Sequence, residues 1–262
     1  MTFQSDLHDR RVVITGGAGL IGQGFVRAVV ENGGRAILAD IDEASGQRVK
    51  ESLSAELRTD KIEFCRVDVT SRESIQRMMD SVLAKHGGVD ALVNNAYPRN
   101  QHYGRKFEDV TYEDFCENVN LHLGGYFLMS QELSRVMVKQ GHGTIVFVSS
   151  IYGFMAPRFE VYEGADFTSP VEYSAIKGAL LSLTKYLASY LGQHGIRVNA
   201  ISPGGVYNRQ EESFVTQYCK RVVLGNRMAG ADDLAGALVF LLSDASKYMT
   251  GQNLVVDGGW SI

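Results

Sequence analysis

The sequence has few of the residues that would support a disulfide-stapled, membrane-spanning or unstructured chain. Among 262 residues there are only four prolines, three cysteines and one tryptophan. No apolar run approaches the roughly 18 residues of a membrane helix, and no basic stretch followed by an apolar core indicates a secretory leader. Without low-complexity segments or a visible linker, the composition predicts one domain over residues 1–262.

The charge balance and the cysteines exclude further classes of partner. A net charge of −4 offers no general attraction to nucleic acid or to an anionic membrane. Cys65, Cys116 and Cys219 are far apart and lack partners at metal-ligand spacing, so we expect neither a disulfide nor a metal site. These features predict a cytoplasmic protein without a nucleic-acid or membrane partner.

Short apolar runs alternate with longer helical stretches along the whole chain. Several runs are continuous, such as Val12–Ile14 and Ile145–Val148, which is typical of strands covered on both faces. Their alternation with helices predicts right-handed crossovers into a parallel sheet. The fold class is therefore α/β: a doubly wound, Rossmann-type fold with about seven parallel strands and helices on both faces. The predicted strands are Arg11–Thr15, Arg35–Ala39, Ile62–Val67, Ala91–Asn94, Thr144–Ser149, Arg197–Ile201 and Asn253–Val256.

Two long helices and three irregular segments complete the pattern. Apolar residues with helical spacing cover residues 113–138 and 171–193. The segments 97–110, 154–170 and 208–230 follow strands, at the sheet edge where open α/β sheets bind ligands. We expect these three segments to surround the substrate.

A glycine-rich turn, Thr15-Gly-Gly-Ala-Gly-Leu-Ile-Gly22, joins the first strand to the next helix. Glycines let the backbone approach a pyrophosphate, which is held by free N–H groups and the positive end of the helix dipole. A tight connection without a ligand is the alternative. Placed after a first strand, the turn predicts dinucleotide binding through Gly16, Gly19, Leu20, Ile21 and Gly22.

Asp40 ends the second predicted strand and bears on the choice of dinucleotide. A carboxylate there accepts hydrogen bonds from both hydroxyls of the adenosine ribose and repels a 2′-phosphate. The glycine turn contains no Arg or Lys, and Ile41 follows Asp40, so no cation is positioned to neutralise that phosphate. A helix cap is the alternative role, which Asp42 fills better. The sequence therefore predicts NAD over NADP.

Tyr173 and Lys177 are four residues apart in a predicted helix, which places both side chains on one face. A phenol beside a permanent ammonium ion ionises more easily, so the pair can supply a base. A packed aromatic residue is the alternative for Tyr173. The catalytic interpretation of the pair is supported by the glycine turn and by Ser150, which follows the fifth predicted strand.

Together these residues resemble the short-chain dehydrogenase/reductase family along essentially the whole chain. The resemblance implies an oxidoreductase that exchanges a hydride between NAD and a secondary alcohol or ketone. It implies that Asn120 holds a proton-relay water, Ser150 binds the reacting oxygen, Tyr173 is the base, and Lys177 also holds the nicotinamide ribose. Further cofactor residues implied by the family motifs are Asp68, Val69, Asn94, Asn95, Ala96, Pro203, Gly204, Val206 and Asn208.

Four departures from the family pattern are visible. Leu20 stands where members of this length place a glycine, Tyr97 replaces the glycine after Asn-Asn-Ala, and Asn208 replaces a cofactor-facing threonine. Ser150 and Tyr173 are 23 residues apart, about ten more than usual, which indicates an inserted loop on the substrate side. None of these removes a group that hydride transfer needs.

Cations in the three irregular segments suggest an anionic substrate. Arginines from separate loops suit a phosphate or carboxylate through charge-assisted hydrogen bonds, although solvated loop charges are the alternative. The stretch 162–173 is similar to a bacterial branch linked to sugar modification of flagella and cell surfaces. This resemblance implies an acidic or phosphorylated sugar derivative. The candidate substrate residues are Tyr97, Arg99, Arg105, Arg158 and Arg209.

Two other functions remain as alternatives. A cofactor-sensing binding protein without turnover is disfavoured by the complete set of four catalytic residues. A sugar-nucleotide epimerase or dehydratase is suggested by the glycine spacing, but few residues follow the last predicted strand. The family resemblance also implies a homo-oligomer, a tetramer or dimer, in which the helices 113–138 and 171–193 pair across a two-fold axis.

Overall fold

The computed structural model describes residues 6–262, and its centre is a seven-stranded parallel sheet with the order β3-β2-β1-β4-β5-β6-β7. The order reverses between β1 and β4, which creates the crevice where doubly wound sheets bind ligands. The predicted α/β fold is confirmed, with strand ends that differ by one or two residues. The strands are β1 (Arg11–Thr15), β2 (Arg35–Asp40), β3 (Ile62–Arg66), β4 (Ala91–Asn94), β5 (Gly143–Val148), β6 (Ile196–Pro203) and β7 (Asn253–Val256).

Helices cover both faces of this sheet. The side chains of Asp42, Ser71 and Thr111 accept hydrogen bonds from backbone N–H groups three residues later, so they fix where α2, α3 and α4 begin. The helices are α1 (Leu20–Glu31), α2 (Glu43–Leu57), α3 (Arg72–His86), α4 (Tyr112–Val119), α5 (Gly125–Gln140), α6 (Val171–Leu191), α7 (Glu212–Cys219) and α8 (Ala235–Leu242).

Two elements differ from the sequence expectation. The continuous helix predicted over 113–138 is interrupted by one π turn, Asn120–Gly124, between α4 and α5. This wider turn ends within a Gly-Gly pair, Gly124 and Gly125, which weakens a regular helix, and π turns are frequent at functional sites. The segment 208–230, predicted to be irregular, contains the short helix α7.

The core consists of two layers on the faces of the sheet and a third cluster beyond its carboxyl edge. One layer packs α3, α5 and α6 against the sheet, and the other packs α1 and α8. The third cluster includes Tyr152, Phe214, Tyr218 and Trp260, and it supports the loops predicted to hold substrate. Within the part of the chain that is described, no helix is long and apolar enough to cross a membrane.

The glycine turn between β1 and α1 is compact because its glycines contact the neighbouring backbone. A Cβ atom at Gly22 would lie 2.1 Å from the carbonyl oxygen of Gly16. Gly16 itself has φ of +63° and lies against Ala96, so a side chain is excluded there as well. The turn therefore brings the start of α1 close to the end of β4.

We expect Gly22→Ala to lower the free energy of unfolding by about 1–3 kcal/mol, because the turn must shift to accept the methyl group. Gly236→Ala, in the exposed part of α8 with no atom within 4 Å of the added Cβ, is the matched control. It should be neutral or stabilise by up to about 1 kcal/mol. Urea denaturation measures both, and equal loss in the two variants would contradict the close approach at Gly22.

Candidate active site

A cleft of about 360 Å³ opens where β1 and β4 diverge, between the glycine turn and the ends of β2 and β3. Half of the predicted cofactor residues lie in its wall. The walls include Gly16, Gly19, Leu20, Asp40, Ile41, Asp68, Val69, Asn95, Ala96 and Tyr97.

Asn95 joins the glycine turn to the end of β4. Its side-chain Nδ2 donates to the carbonyl oxygens of Thr15 and Gly16, at 3.0 and 3.1 Å. The hydroxyl of Thr15 accepts in return from the backbone N–H groups of Asn95 and Ala96, at 2.9 and 3.1 Å. These bonds fix the floor of the cleft without using the free N–H groups at the start of α1.

Asp40 lies at the end of β2 with its carboxylate against the turn. One oxygen accepts from the N–H of Ala18 at 3.0 Å and the other from the N–H of Asp42 at 3.1 Å. Arg66 lies opposite Asp40 across the β2–β3 pair, and its guanidinium donates to the carbonyl of Ile41 at 3.4 Å. The expectation that no cation lies nearby was therefore wrong, because pairing of the two strands brings Arg66 to this edge.

Other predicted cofactor residues lie elsewhere. Asn94 is fully buried and donates to the hydroxyl of Ser130 at 3.0 Å, so it supports the sheet. Gly204 and Val206 line the neighbouring, larger cavity. Asn208 is exposed and lines neither cavity, and its backbone N–H donates to the side chain of Gln210. Ile21 packs against the core, Gly22 and Pro203 are buried, and none of the three lines either cavity.

Ser150, Tyr173 and Lys177 meet at the end of β5. Ser149 positions α6 here, since its hydroxyl donates to the carbonyl of Lys177 at 2.8 Å. The Nζ of Lys177 lies 5.5 Å from the ring centre of Tyr173. Burial raises the pKa of Tyr173, and its hydrogen bond with Ser150 opposes that rise. Three of the four predicted catalytic residues therefore form one group.

Lys177 is only 4% exposed, and its Nζ donates to the carbonyl of Val148 at 2.8 Å. Burial lowers the pKa of Lys177 to about 7. The assumption of a permanent ammonium ion was therefore wrong for the protein alone. The lysine titrates near neutral pH, and an anion beside it favours its charged form.

Asn120 is not part of this group. Its side chain is exposed at the start of the π turn, and His122 occupies the place beside Lys177 instead. His122 is 1% exposed, and its Nε2 lies 3.4 Å from Nζ of Lys177. Residues two positions apart on a helix, such as 120 and 122, point about 200° away from each other, so only one of them can face inward. The structure turns His122 inward, so the catalytic assignment of Asn120 is corrected; the spacing of residues in the sequence did not reveal which of the two faces inward.

A larger cavity of about 790 Å³ adjoins the catalytic group on the side away from the glycine turn. It is bounded by parts of all three segments that were predicted to surround the substrate. Tyr97 lies at its junction with the smaller cleft, edge-on to Tyr173 at 5.9 Å between ring centres. Six further aromatic residues line its wall, namely Tyr103, Tyr152, Tyr162, Phe167, Phe214 and Tyr218.

Two of the four candidate arginines line this cavity. The guanidinium carbon of Arg99 lies 5.1 Å from the centre of the Tyr97 ring. Arg209 lines the cavity from another segment, and its backbone is left-handed, with φ of +57°. Arg105 instead faces the carboxylate of Asp114, at 3.4 Å. Arg158 lies over the ring of Trp260, 5.4 Å from its centre, and outside the cavity wall. Arg105 and Arg158 therefore have structural partners.

The loop 97–110 is fixed to α4 by Asp114. This carboxylate accepts from Asn100 and His102 at 2.9 and 2.8 Å, and also from the hydroxyl of Thr111. These hydrogen bonds, that of His102 first, lower the pKa of Asp114. The loop that carries Tyr97 and Arg99 is therefore held in place at neutral pH.

The cysteines and the acidic residues form no further chemical centre. All three cysteines are unpaired, and burial raises the pKa of Cys65 to about 11. No group of three metal-ligating side chains occurs between residues 6 and 262.

Comparison with known proteins agrees with this arrangement. A family model described as enoyl-(acyl carrier protein) reductase matches residues 17–261. The chain belongs to the short-chain dehydrogenase/reductase family, whose members are oxidoreductases that bind a nicotinamide dinucleotide. The resemblance inferred from the sequence motifs is therefore confirmed.

Individual relatives match over nearly the whole chain. Post-translational flagellin modification protein A of Campylobacter coli is 39% identical, with 98% of this chain and 100% of that protein covered. A short-chain dehydrogenase from Leptospira borgpetersenii with bound NAD+ has a TM-score of 0.86 at 35% identity, covering 100% and 96%. A gluconate 5-dehydrogenase from Burkholderia cenocepacia with NADP and tartrate has a TM-score of 0.86 at 28% identity, covering 99% and 98%. The two structures hold different dinucleotides.

Proposed function

We propose that the protein is a cytoplasmic, NAD(H)-dependent dehydrogenase that interconverts a secondary alcohol and a ketone on an acidic or phosphorylated sugar derivative. The observation that carries the proposal is the meeting of Ser150, Tyr173 and Lys177 beside Tyr97, the residue that borders both cavities. Unpaired thiols at all three cysteines support a reducing compartment.

The smaller cleft fits a dinucleotide. Glycine backbone lines it at Gly16 and Gly19, and the side chain of Asp40 lies at its edge. The unused N–H groups at the start of α1 suit a pyrophosphate, and Asp40 suits the adenosine ribose. When bound, the nicotinamide would accept or return a hydride, which protein side chains cannot do.

The chain's own residues would handle the proton and the oxygen. Tyr173 as phenolate takes the hydroxyl proton of the alcohol while the hydride leaves the adjacent carbon. Ser150 donates a hydrogen bond to the reacting oxygen and stabilises its developing negative charge. Lys177 stabilises the phenolate by its positive charge. In the reverse direction, Tyr173 returns the proton to the carbonyl oxygen.

Relatives support the sugar part of the proposal. One is a probable galactose dehydrogenase and another a gluconate 5-dehydrogenase, and these names denote a sugar and a sugar acid. The cavity combines aromatic walls, which suit the faces of a sugar ring, with Arg99 and Arg209, which suit a carboxylate or phosphate. Strained backbone such as that of Arg209 is common at ligand sites.

Two exposed aromatic faces support a homodimer or tetramer. Tyr186 and Tyr190 stack on α6 at 6.1 Å between ring centres and are 66% and 59% exposed. Phe127 on α5 is 46% exposed. We expect α5 and α6 to pair with those of a second copy, and light scattering that shows only monomers at micromolar concentration would contradict this.

NAD should bind about ten- to a hundredfold more tightly than NADP, because Asp40 gains two ribose hydrogen bonds and repels a 2′-phosphate. Asp40→Ala should narrow the difference in affinity, since the carboxylate that repels the 2′-phosphate is removed and Arg66 lies at the same edge of the sheet. The double variant Asp40→Ala/Arg66→Ala should lose NADP affinity again. Isothermal titration measures all three, and tighter binding of NADP by the unmodified protein would exclude this role of Asp40.

Tyr173→Phe should lower kcat by roughly 10²–10⁴-fold and leave NAD affinity within a few-fold, because only the proton-accepting oxygen is removed. Lys177→Ala should lower both kcat and NAD affinity, because the lysine stabilises the phenolate of Tyr173 and is expected to bind the nicotinamide ribose. Tyr248→Phe, at a fully exposed tyrosine that lines neither cavity, is the matched control and should leave kcat and NAD affinity unchanged. NADH absorbance measures turnover on sugars, sugar acids and sugar phosphates. Retention of most kcat by Tyr173→Phe would remove the proposed base.

Arg99→Ala and Arg209→Ala should each lower kcat/KM for a charged sugar by about ten- to a hundredfold, and that for its neutral analogue far less. Arg77→Ala, at an exposed position of α3, is the control. Activity on the charged sugar should also fall with added salt, because an open anion site is screened. Equal activity on both sugars in every variant would mean that the two arginines are only surface charges.

A further inference from the structure

His122 is turned inward by the π turn that joins α4 to α5. The turn covers Asn120–Gly124, and within it His122 is buried whereas Asn120 is exposed. The imidazole lies edge-on between the rings of Tyr97 and Tyr126, at 5.0 and 4.9 Å between centres. An interrupted helix and two aromatic contacts thus hold one nitrogen of His122 against Lys177.

The contact with Lys177 defines the proton positions on His122. In its ammonium form, the Nζ of Lys177 is only a donor; it gives one hydrogen bond to the carbonyl of Val148 and faces Nε2 of His122 at 3.4 Å. Beside this charged form Nε2 accepts, which leaves the hydrogen of the neutral ring on Nδ1. Among residues 6–262, this buried Nδ1 has no hydrogen-bond partner.

The groups around the pair keep the ring neutral. Burial, followed by the charge of Lys177, lowers the pKa of His122 well below its usual value. The titratable side chains that face the pair are phenols: Tyr97 from the loop after β4, Tyr126 from α5 and Tyr173 from α6. The buried carboxylate of Glu172 on α6 faces Asn118 of α4, whose Nδ2 donates to it at 3.4 Å.

We propose that His122 is a positioning residue for the catalytic group: as a neutral acceptor, it holds Nζ of Lys177 between Val148 and the ring of Tyr173. The inference rests on the proposed dehydrogenase function. The place that the family resemblance gave to an asparagine is thereby held by an imidazole, which offers a single acceptor and a rigid ring.

Replacement of His122 separates this role from a purely structural one. His122→Leu removes the acceptor and retains an apolar side chain, whereas His122→Asn provides an acceptor oxygen. Without an acceptor the ammonium form of Lys177 is less stable, so its pKa falls and that of Tyr173 rises. The rising limb of the pH profile for alcohol oxidation should therefore move to higher pH in His122→Leu. At neutral pH, kcat should fall about ten- to a hundredfold.

His122→Asn should return the rising limb of the pH profile to the position it has in the unmodified protein and restore most of kcat. Urea denaturation of both variants detects a loss of stability, which a packing role would cause without a shift of the pH profile. An unmoved limb in His122→Leu, or identical profiles for the Leu and Asn variants, would overturn the proposal.

A second measurement does not depend on turnover. Long-range ¹⁵N–¹H spectra of the free protein report the tautomer of each histidine, and His122→Asn assigns the signals by their loss. We expect the neutral, Nδ1-protonated form near pH 7 and a shift of the Nε2 signal in Lys177→Ala. An imidazolium or an Nε2-protonated ring would contradict the contact. If these spectra agree but no alcohol is oxidised, the proposed function fails and the contact with Lys177 stands.

Discussion

The buried amino group of Lys177 is the contact on which the rest of the site depends. It lies at the end of β5 with no carboxylate within ion-pair distance among the described residues, so its charge is stabilised only by the carbonyl of Val148, by His122 and by aromatic rings. Burial without an anion lowers its pKa to about 7. The site therefore favours the arrival of a negative charge, and a phenolate at Tyr173 is the nearest group that can supply one.

Tyr97 links this group to both cavities. Its ring borders the glycine-lined cleft on one side and the aromatic cavity on the other, and Lys177 lies 5.6 Å from its centre. Its hydroxyl also contacts that of Tyr103 in the same loop. The loop is fixed to α4 through Asp114, so the position of Tyr97 depends on hydrogen bonds to α4 as well as on the two cavities.

The sequence was sufficient for features that depend on local pattern. The seven strands and the glycine turn follow from continuous apolar runs and from glycine spacing, and the Tyr173–Lys177 pair follows from helical periodicity. Features set by tertiary placement were not accessible. The inward position of His122 depends on a π turn that shifts the helical phase, and the approach of Arg66 to Asp40 depends on strand register. Neither feature can be recognised from the spacing of residues in the sequence.

For the four candidate arginines too, the sequence predicts one feature, the loop position, and does not predict another, the direction of the side chain. All four occupy the loops predicted from the sequence, but loop membership does not determine the direction of a side chain. Arg105 is turned to Asp114 and Arg158 to Trp260, and both partners belong to packed elements outside the cavity wall. Arg99 and Arg209 border the cavity from separate segments. Arginines from two segments at the wall of a cavity of about 790 Å³ suit a polar molecule that carries an anionic group.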